Sequence, residues 1–277
     1  MTNESTSNIM SVDLEDYFCN LPFSTWPKYE SRLLQTTQTL LDLFEKHEVK
    51  ATFFVLGYLA EKFPELIKNI YDKGHEIGSH SYSHPDLRTI TKEQFEEDLV
   101  KSLKILEQIT GEPVLGFRAP YFSVNRSNFW VFDVLRKYVK YDSSVFPVKT
   151  NLYGIPDAPR EIYHPSQSDF TKIDQSQSFL ELPPSTYHIL KNFNLPIAGG
   201  FFFRFFPYFF LKRGFEKLKK QKRPIIFYIH PKDLDLDMQK IEGFGWHFYY
   251  GKKNIVKKFN RLLSDFKFTT AKKVLKL

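Results

Sequence analysis

At 277 residues, 42% of them hydrophobic, the chain can bury a full core as one large α/β domain, and two small domains are not required. A single cysteine, Cys19, excludes an intrachain disulfide, and the first residues lack the charged start, apolar stretch and cleavage site of a secretion signal, so the expected compartment is the cytoplasm. The formal charge of +7 gathers toward the C-terminus, over 212–223 and 252–276, as a solvated basic face; with no helix-turn-helix or ribonucleoprotein-type motif, nucleic acid is not an expected partner.

Residues 8–14 form a short apolar run that breaks into Asp13-Leu14-Glu15-Asp16. This is the pattern of a buried parallel strand with ionisable groups at its C-terminal end, where α/β enzymes place chemistry. A leucine stripe with Phe44 predicts a helix over 31–47, and β-branched and aromatic residues predict a second buried strand over 49–57. Helical spacing resumes over 58–73 and stops at Gly74, a suitable cap; 76–79 is then a short third strand. It runs into His80-Ser81-Tyr82-Ser83-His84, whose two histidines, four apart, fall on one face of a helical turn. There two imidazoles can close on one metal ion and leave its other positions open. The acidic cluster is the natural source of the carboxylate that a divalent ion adds to such a pair.

Thr91-Lys92-Glu93-Gln94 reads as a capping box for a helix whose stripe of Phe95, Leu99, Leu103 and Leu106 ends at Gly111, and strands are expected within 114–119 and 139–143. Repeated strand and helix, with ligand-type residues at the strands' carboxyl ends, points to a parallel, barrel-like sheet. From 146 to 185 proline, serine and tyrosine replace any helical period, which predicts long loops walling a cleft. The aromatic segment 199–210 is interrupted by Arg204 and Pro207 and is too short to span a bilayer. Pro207 suits the first turn of a helix running to Lys220, 224–230 reads as a late buried strand ending at His230, and 251–263 as an amphipathic basic helix before a short strand in 266–270. The aromatic and basic stretch 201–223 is also a candidate for peripheral contact with an anionic membrane, though packing of the extension is the first expectation.

Taken in order, Ser11-Val12-Asp13-Leu14-Glu15-Asp16-Tyr17, Ala51-Thr52-Phe53-Phe54-Val55-Leu56-Gly57, the histidine stretch, Gly116-Phe117-Arg118-Ala119-Pro120-Tyr121, Tyr141-Asp142-Ser143-Ser144 and Tyr228-Ile229-His230-Pro231 resemble the polysaccharide deacetylases. The catalytic unit of that family is the NodB homology domain of carbohydrate esterase family 4. The resemblance covers 9–230. The remainder, through Glu181-Leu182-Pro183, Gly199-Gly200 with Arg204 and Pro207, and the tail from Trp246 to Leu263, resembles the C-terminal extension of deacetylases associated with bacterial exopolysaccharide and surface-glycan export. The resemblance implies a distorted (β/α) barrel of fewer than eight repeats in a single catalytic domain over 1–277, with a NodB-like core over 8–232 and extension elements over 181–277 packed on it. It further implies a divalent metal, usually zinc, and hydrolysis of N-acetyl groups from amino sugars of a bacterial polysaccharide or a lipid-linked glycan precursor.

Carried onto these positions, the resemblance makes Asp13 the base that takes a proton from water and His230 the acid that protonates the leaving amine. Arg118 orients Asp13, and the Tyr121 backbone amide stabilises the oxyanion. His80, His84 and Asp16 are the expected metal ligands. Asp16 is preferred to Glu15 because a turn after Asp13 can bring it inward, as the family's second aspartate lies beside the first, and because its shorter side chain loses less entropy on holding an ion, although an extended strand projects Asp13 and Glu15 to one face. The family's first motif commonly has two adjacent aspartates; here Leu14 and Glu15 separate Asp13 from Asp16, so Glu15 stays open as the ligand. Its fourth motif often carries an aspartate-tryptophan pair that tunes the acid histidine, where this chain has Val145-Phe146. Asp142 is therefore the candidate for tuning His230, with Asp233 the alternative. Two rival readings are an amidohydrolase acting on a small non-sugar amide and a non-catalytic glycan-binding protein. Retention of Asp13, His80, His84 and His230 disfavours the second and any metal-free form of the first.

Overall fold

The alternation of strand and helix expected from the sequence is what the chain forms. The computed structural model describes residues 7–190 and 193–277. In chain order the elements begin with β1 (Asn8–Leu14), α1 (Leu33–Lys46), β2 (Thr52–Val55), α2 (Gly57–Lys62), α3 (Pro64–Asp72), β3 (Glu76–Ser79), α4 (Lys92–Thr110), β4 (Gly116–Phe117), α5 (Trp130–Tyr138) and β5 (Tyr141–Asp142). They continue with β6 (Leu180–Glu181), β7 (Thr186–Leu190), β8 (Phe193–Pro196), α6 (Gly200–Phe205), α7 (Tyr208–Lys220), β9 (Ile226–Ile229), α8 (Ile255–Asp265), β10 (Phe268–Thr269) and α9 (Ala271–Leu275). The chain divides into two compact units, one of residues 1–52 with 197–277 and the other of 53–196. No helix among the described residues is long and apolar enough to cross a membrane.

In the first unit β1 pairs in parallel with β9, from Ile9↔Ile226 to Val12↔Ile229, and with β10 at Asn8↔Phe268 and Ile9↔Thr269. Every residue of β1 after Asn8 is buried, the condition of a parallel strand covered on both faces. Phenylalanines fill that cover. Phe227 of β9 meets Phe203 of α6 edge-on, with centroids 5.0 Å apart, and stacks on Phe259 of α8 at 6.2 Å. Phe44 of α1 reaches the same Phe259 at 6.0 Å. The aromatic and basic stretch from α6 to α7 therefore divides, with Phe203, Leu211 and Phe215 in the core and Phe209 75% exposed. Its glycines have a specific use: Gly199 bridges Tyr228, has φ 149°, and leaves no room for a Cβ against the Tyr228 carbonyl. Only glycine lets α6 start directly against β9.

In the second unit β3, β4, β5 and β6 lie side by side, all parallel, through Ser79↔Phe117, Phe117↔Asp142 and Asp142↔Glu181. Helix α4 has the expected capping box, Thr91 Oγ1 accepting from Gln94 N and Gln94 Oε1 from Thr91 N, and ends at Gly111 with φ 74°. Two expectations change. The helix predicted over 58–73 is two helices, because Pro64 has no N–H and drives Phe63 out of helical geometry (φ −130°, ψ 54°). The antiparallel hairpin β7–β8, paired from Thr186↔Pro196, has no counterpart in the sequence reading, and neither have α5, α6 and α9.

Phe227 is fully buried among Phe203, Phe215, Phe259 and Phe268. Phe227→Ala should lower the unfolding free energy by about 3–5 kcal/mol, measured by chemical denaturation. A loss below about 1 kcal/mol would mean that this cluster is not the core of the first unit.

Candidate active site

Parallel pairing at Val12↔Ile229 brings the carboxyl ends of β1 and β9 to one edge of the first unit, and the next residues are Asp13 and His230. Asp13 and Glu15 are 2% and 4% exposed. His230 Nε2 lies 3.8 Å from Asp13 Oδ2 and 3.8 Å from Glu15 Oε1. One ligand-type atom from each of the three lies within 4.8 Å of the others, a spacing that could hold a metal ion. The second Glu15 oxygen is ion-paired with Lys232 Nζ, which also donates to Asn20 Oδ1 at 2.6 Å.

Behind the imidazole stands a carboxylate. Asp233 Oδ2 is 2.9 Å from His230 Nδ1 and accepts the His230 backbone N–H at 3.1 Å. Asp233 Oδ1 is 3.0 Å from Arg204 Nε, an ion pair between two buried side chains. Burial by itself lowers the His230 pKa, but the Glu15 and Asp233 carboxylates outweigh it and raise the group above its ordinary value. Burial tends to raise Asp233, yet the Arg204 guanidinium and His230 hold it far below the usual carboxylate range. Nearby, burial pushes Lys252 down to about 8 while its Nζ donates to the Lys232 carbonyl at 2.7 Å.

Asp16 is turned to another task. Its oxygens accept from Ser31 Oγ at 2.5 Å, Tyr17 N at 2.8 Å and Arg32 N at 3.1 Å. Since α1 has no capping side chain on its own Arg32, Asp16 supplies from a distance the acceptor and the negative charge that a helix N-terminus favours. Burial raises its pKa and these hydrogen bonds oppose the rise only in part.

In the second unit the two histidines lie on a loop after β3, not on the expected helical turn. Ser81 and His84 have φ of 69° and 58°, and Asp98 of α4 ties the loop by accepting from Tyr82 N, Ser83 N and Ser83 Oγ at 2.6, 3.0 and 2.6 Å. The rings still meet, with centroids 5.2 Å apart. His80 Nδ1 is 2.7 Å from the Arg118 carbonyl oxygen. A carbonyl only accepts, so the proton sits on Nδ1 and Nε2 keeps the lone pair a metal ion needs. His84 packs edge-on to Tyr121 at 4.4 Å, and Tyr121 holds φ 58°, ψ 12°, a left-handed strain of the kind found at functional turns. Arg118 is 1% exposed; it donates from Nε to Ser143 O at 3.1 Å and from Nη2 to Ser143 Oγ at 2.7 Å, and it lies over the Phe54 ring at 4.4 Å.

The structure thus gathers Asp13, Glu15 and His230 in one unit and His80, His84, Arg118 and Tyr121 in the other. The expectation for Asp142 is corrected: its oxygens accept from Ser144 Oγ at 2.5 Å and Ser144 N at 3.1 Å, and the carboxylate on His230 is Asp233. Asp142 neighbours Glu181 across β5 and β6, and burial raises both pKa values, Asp142 adding to the rise of Glu181. The sequence reading also missed Arg204, Lys232 and Asp98 as site residues. Arg204 had a signal, a lone cation inside a phenylalanine run; Lys232 and Asp98 had none.

A carboxyl whose folded pKa is raised contributes stability that is present below its unfolded pKa and is lost as pH rises through the folded value. The wild type should therefore lose unfolding midpoint relative to Glu181→Gln, which has no carboxyl to titrate there, as pH rises from the unfolded carboxylate range toward neutrality. Equal pH slopes in thermal scans of the two proteins would contradict the raised Glu181 pKa.

Known proteins bear on both units. The polysaccharide deacetylase family matches residues 24–137, and a domain of unknown function, DUF3473, matches residues 143–276. A peptidoglycan-N-acetylglucosamine deacetylase of Bacillus cereus is 42% identical over 88 residues, 32% of this chain and 32% of the relative. The first curated relatives are matched over 29–36% of their length. Among solved structures, a candidate polysaccharide deacetylase from Mycobacterium smegmatis superposes with TM-score 0.62 at 16% identity, covering 100% of this chain and 92% of that one. An allantoinase superposes with TM-score 0.61 at 14% identity, covering 100% and 91%. These likenesses show the fold, an α/β parallel sheet of the deacetylase barrel type with a C-terminal extension. Residues 24–137, which hold His80, His84, Arg118 and Tyr121, match the polysaccharide deacetylase family, and the DUF3473 match that follows holds Arg204, His230 and Asp233.

Proposed function

We propose that the protein is a metal-dependent N-deacetylase acting on N-acetylated amino sugars of a bacterial polysaccharide or of a lipid-linked surface-glycan precursor, in the cytoplasm, with the whole chain as one catalytic domain. The observation that carries this reading is the buried Asp13 carboxylate 3.8 Å from an imidazole that has a carboxylate of its own behind it. That is an acid and a base at one strand edge, which amide hydrolysis needs because the amide is a weak electrophile and the amine a poor leaving group. The name of the Bacillus cereus relative supports the substrate class.

The residues fit a divalent ion. His80 is held in the ligating tautomer by the Arg118 carbonyl, and imidazole with carboxylate is a zinc donor set. The proposed ligands are His80, His84 and Glu15. Glu15 replaces Asp16 in this assignment because the Asp16 oxygens are committed to Ser31, Tyr17 and Arg32. A bound zinc ion supplies Lewis-acid polarisation of the amide carbonyl. Asp13 takes the proton of the attacking water, and Arg118, a buried and fixed cation, is assigned to orient that carboxylate. His230 presents Nε2 and gives its proton to the departing amine nitrogen, while Asp233 holds Nδ1–H. The Tyr121 backbone N–H stabilises the developing oxyanion.

The test is acetate release from N-acetylglucosamine oligomers by zinc-loaded and metal-stripped protein. Release should require the metal. Asp13→Asn should lower turnover by about 10²–10⁴-fold with zinc retained, and His230→Ala should likewise keep zinc and lose turnover. His80→Ala and Glu15→Gln should lose zinc, and Asp16→Asn should keep it with a lower unfolding midpoint. No acetate from the loaded wild type would end the proposal, and loss of zinc in a folded His230→Ala protein would make His230 a ligand.

A further inference from the structure

We infer that Arg204 is a positioning residue for His230, acting through Asp233, and that the DUF3473 segment therefore builds the acid side of the site; the inference rests on the reading of His230 as the acid. The backbone sets this up. Gly199 lets α6 start against β9, so that Arg204, just over one turn into the helix, is 8% exposed beside the turn that follows His230. The guanidinium is hydrogen-bonded on one side and ion-paired on the other. Its Nη1 donates to Phe248 O at 3.2 Å and Tyr250 O at 2.6 Å, and its Nε faces Asp233 Oδ1 at 3.0 Å. Lys258 Nζ in turn donates to the carbonyls of Phe203, Arg204 and Phe206 at 3.0, 3.1 and 2.9 Å, fixing the end of α6 from which Arg204 projects.

Each Asp233 oxygen then has its own duty. Oδ1 faces the guanidinium, and Oδ2 takes both the imidazole Nδ1 and the His230 backbone N–H. A carboxylate held on one side only could rotate about its side-chain torsions and release the ring; held on both, it fixes the ring plane and the tautomer that leaves Nε2 toward Asp13. An ion pair serving stability alone would not need to share its carboxylate with the imidazole. All of these supports, Arg204, Asp233, Phe248, Tyr250 and Lys258, fall within residues 143–276, which gives that domain a task in the chemistry.

The test uses the full chain with Arg204→Gln, Arg204→Lys and Asp233→Asn, read by steady-state acetate release, zinc content and the ¹⁵N signals of the His230 ring, assigned by their loss in His230→Ala. Arg204→Gln should lower kcat about 10–100-fold, leave KM within about twofold, keep zinc, and convert a single Nδ1–H ring signal into a tautomer mixture. Arg204→Lys should recover part of both, and Asp233→Asn should reproduce the ring change, with no further loss when combined with Arg204→Gln. Wild-type kcat and an unaltered ring signal in Arg204→Gln, with only a lower unfolding midpoint, would overturn the inference. If that variant does not fold, an unaltered ring signal in both Arg204→Lys and Asp233→Asn overturns it equally. Should the wild type release no acetate, the proposed function fails while the ring signals still decide the positioning.

Discussion

The parallel pairing of β1 with β9, in the register Val12↔Ile229, is the constraint on which the proposed acid and base depend. Parallel strands deliver their carboxyl ends to the same edge, so Asp13 and His230 leave the sheet together; a slip of one residue would turn the next side chain to the opposite face. The register is pinned at several heights. Ser11 Oγ donates to the Phe227 carbonyl at 2.9 Å, Ile9 N to Ile225 O at 2.8 Å, and Ile225 N to Asn8 Oδ1 at 2.9 Å. Below them the phenylalanine cluster on Phe227 keeps water from the buried Ser11 bond. Chemistry at the strand ends is thus precise because the strand bodies have no alternative arrangement of comparable burial.

Burying carboxylates is costly unless each is met by charge or by donors, and the first unit meets that requirement with cations from its C-terminal part. Lys232 faces Glu15 and Arg204 faces Asp233. Burial alone would depress Lys232, but the Glu15 carboxylate more than offsets it and its pKa is raised. The late segment therefore does two things at once. Its phenylalanines form the packing around β1 and β9, and its basic residues make the acidic cluster tolerable in a dry setting. The basic composition near the C-terminus, which looked like a solvated face, is partly an internal counter-charge: Lys252 is buried and donates to the carbonyls of Lys232 and Asp235.

What was legible in the sequence was local. The capping box at Thr91, the αL glycine at 111 and the strand at 76–79 need only neighbours a few residues away, and the structure has them there. The break at Pro64 was equally local but was masked by apolar spacing that continues across it. Helix α6 was not legible because a run of phenylalanines has no polar face to give a period, and the sequence over 186–196 holds no Asn-Gly or Asp-Gly pair to mark the pairing of β7 with β8. The histidine pair shows a different limit. Spacing of four suggested a helical turn, whereas the rings meet on a loop whose backbone is set by Asp98, fourteen residues beyond His84; no spacing rule contains that contact. The same applies to the partner of His230. Asp233, three residues on, was visible as an alternative, but the long-range claim of Asp142 rested on a family position, and the structure gives Asp142 to Ser144 instead.

The acidic cluster shows which physical term decides such choices. Preferring Asp16 to Glu15 rests on the family pattern, whose second aspartate lies beside the first, and on side-chain entropy, where the difference between the two side chains is on the order of 1 kcal/mol at most. Against it stand hydrogen bonds to a charged acceptor, each contributing about 1.5–3 kcal/mol, and Asp16 has them from Ser31 Oγ, Tyr17 N and Arg32 N. Removing Asp16 from that position to hold an ion would leave the Arg32 N–H at the start of α1 and the Tyr17 N–H without their carboxylate acceptor, a cost that the shorter side chain does not offset. Glu15 is under no such demand from a helix. It follows a tight turn, its N–H donating to the Asp13 carbonyl at 2.9 Å, and its carboxylate nonetheless shares with Asp13 the 3.8 Å approach to His230 Nε2. Strand parity places Asp13 and Glu15 on one face, and both side chains do stand beside the His230 imidazole.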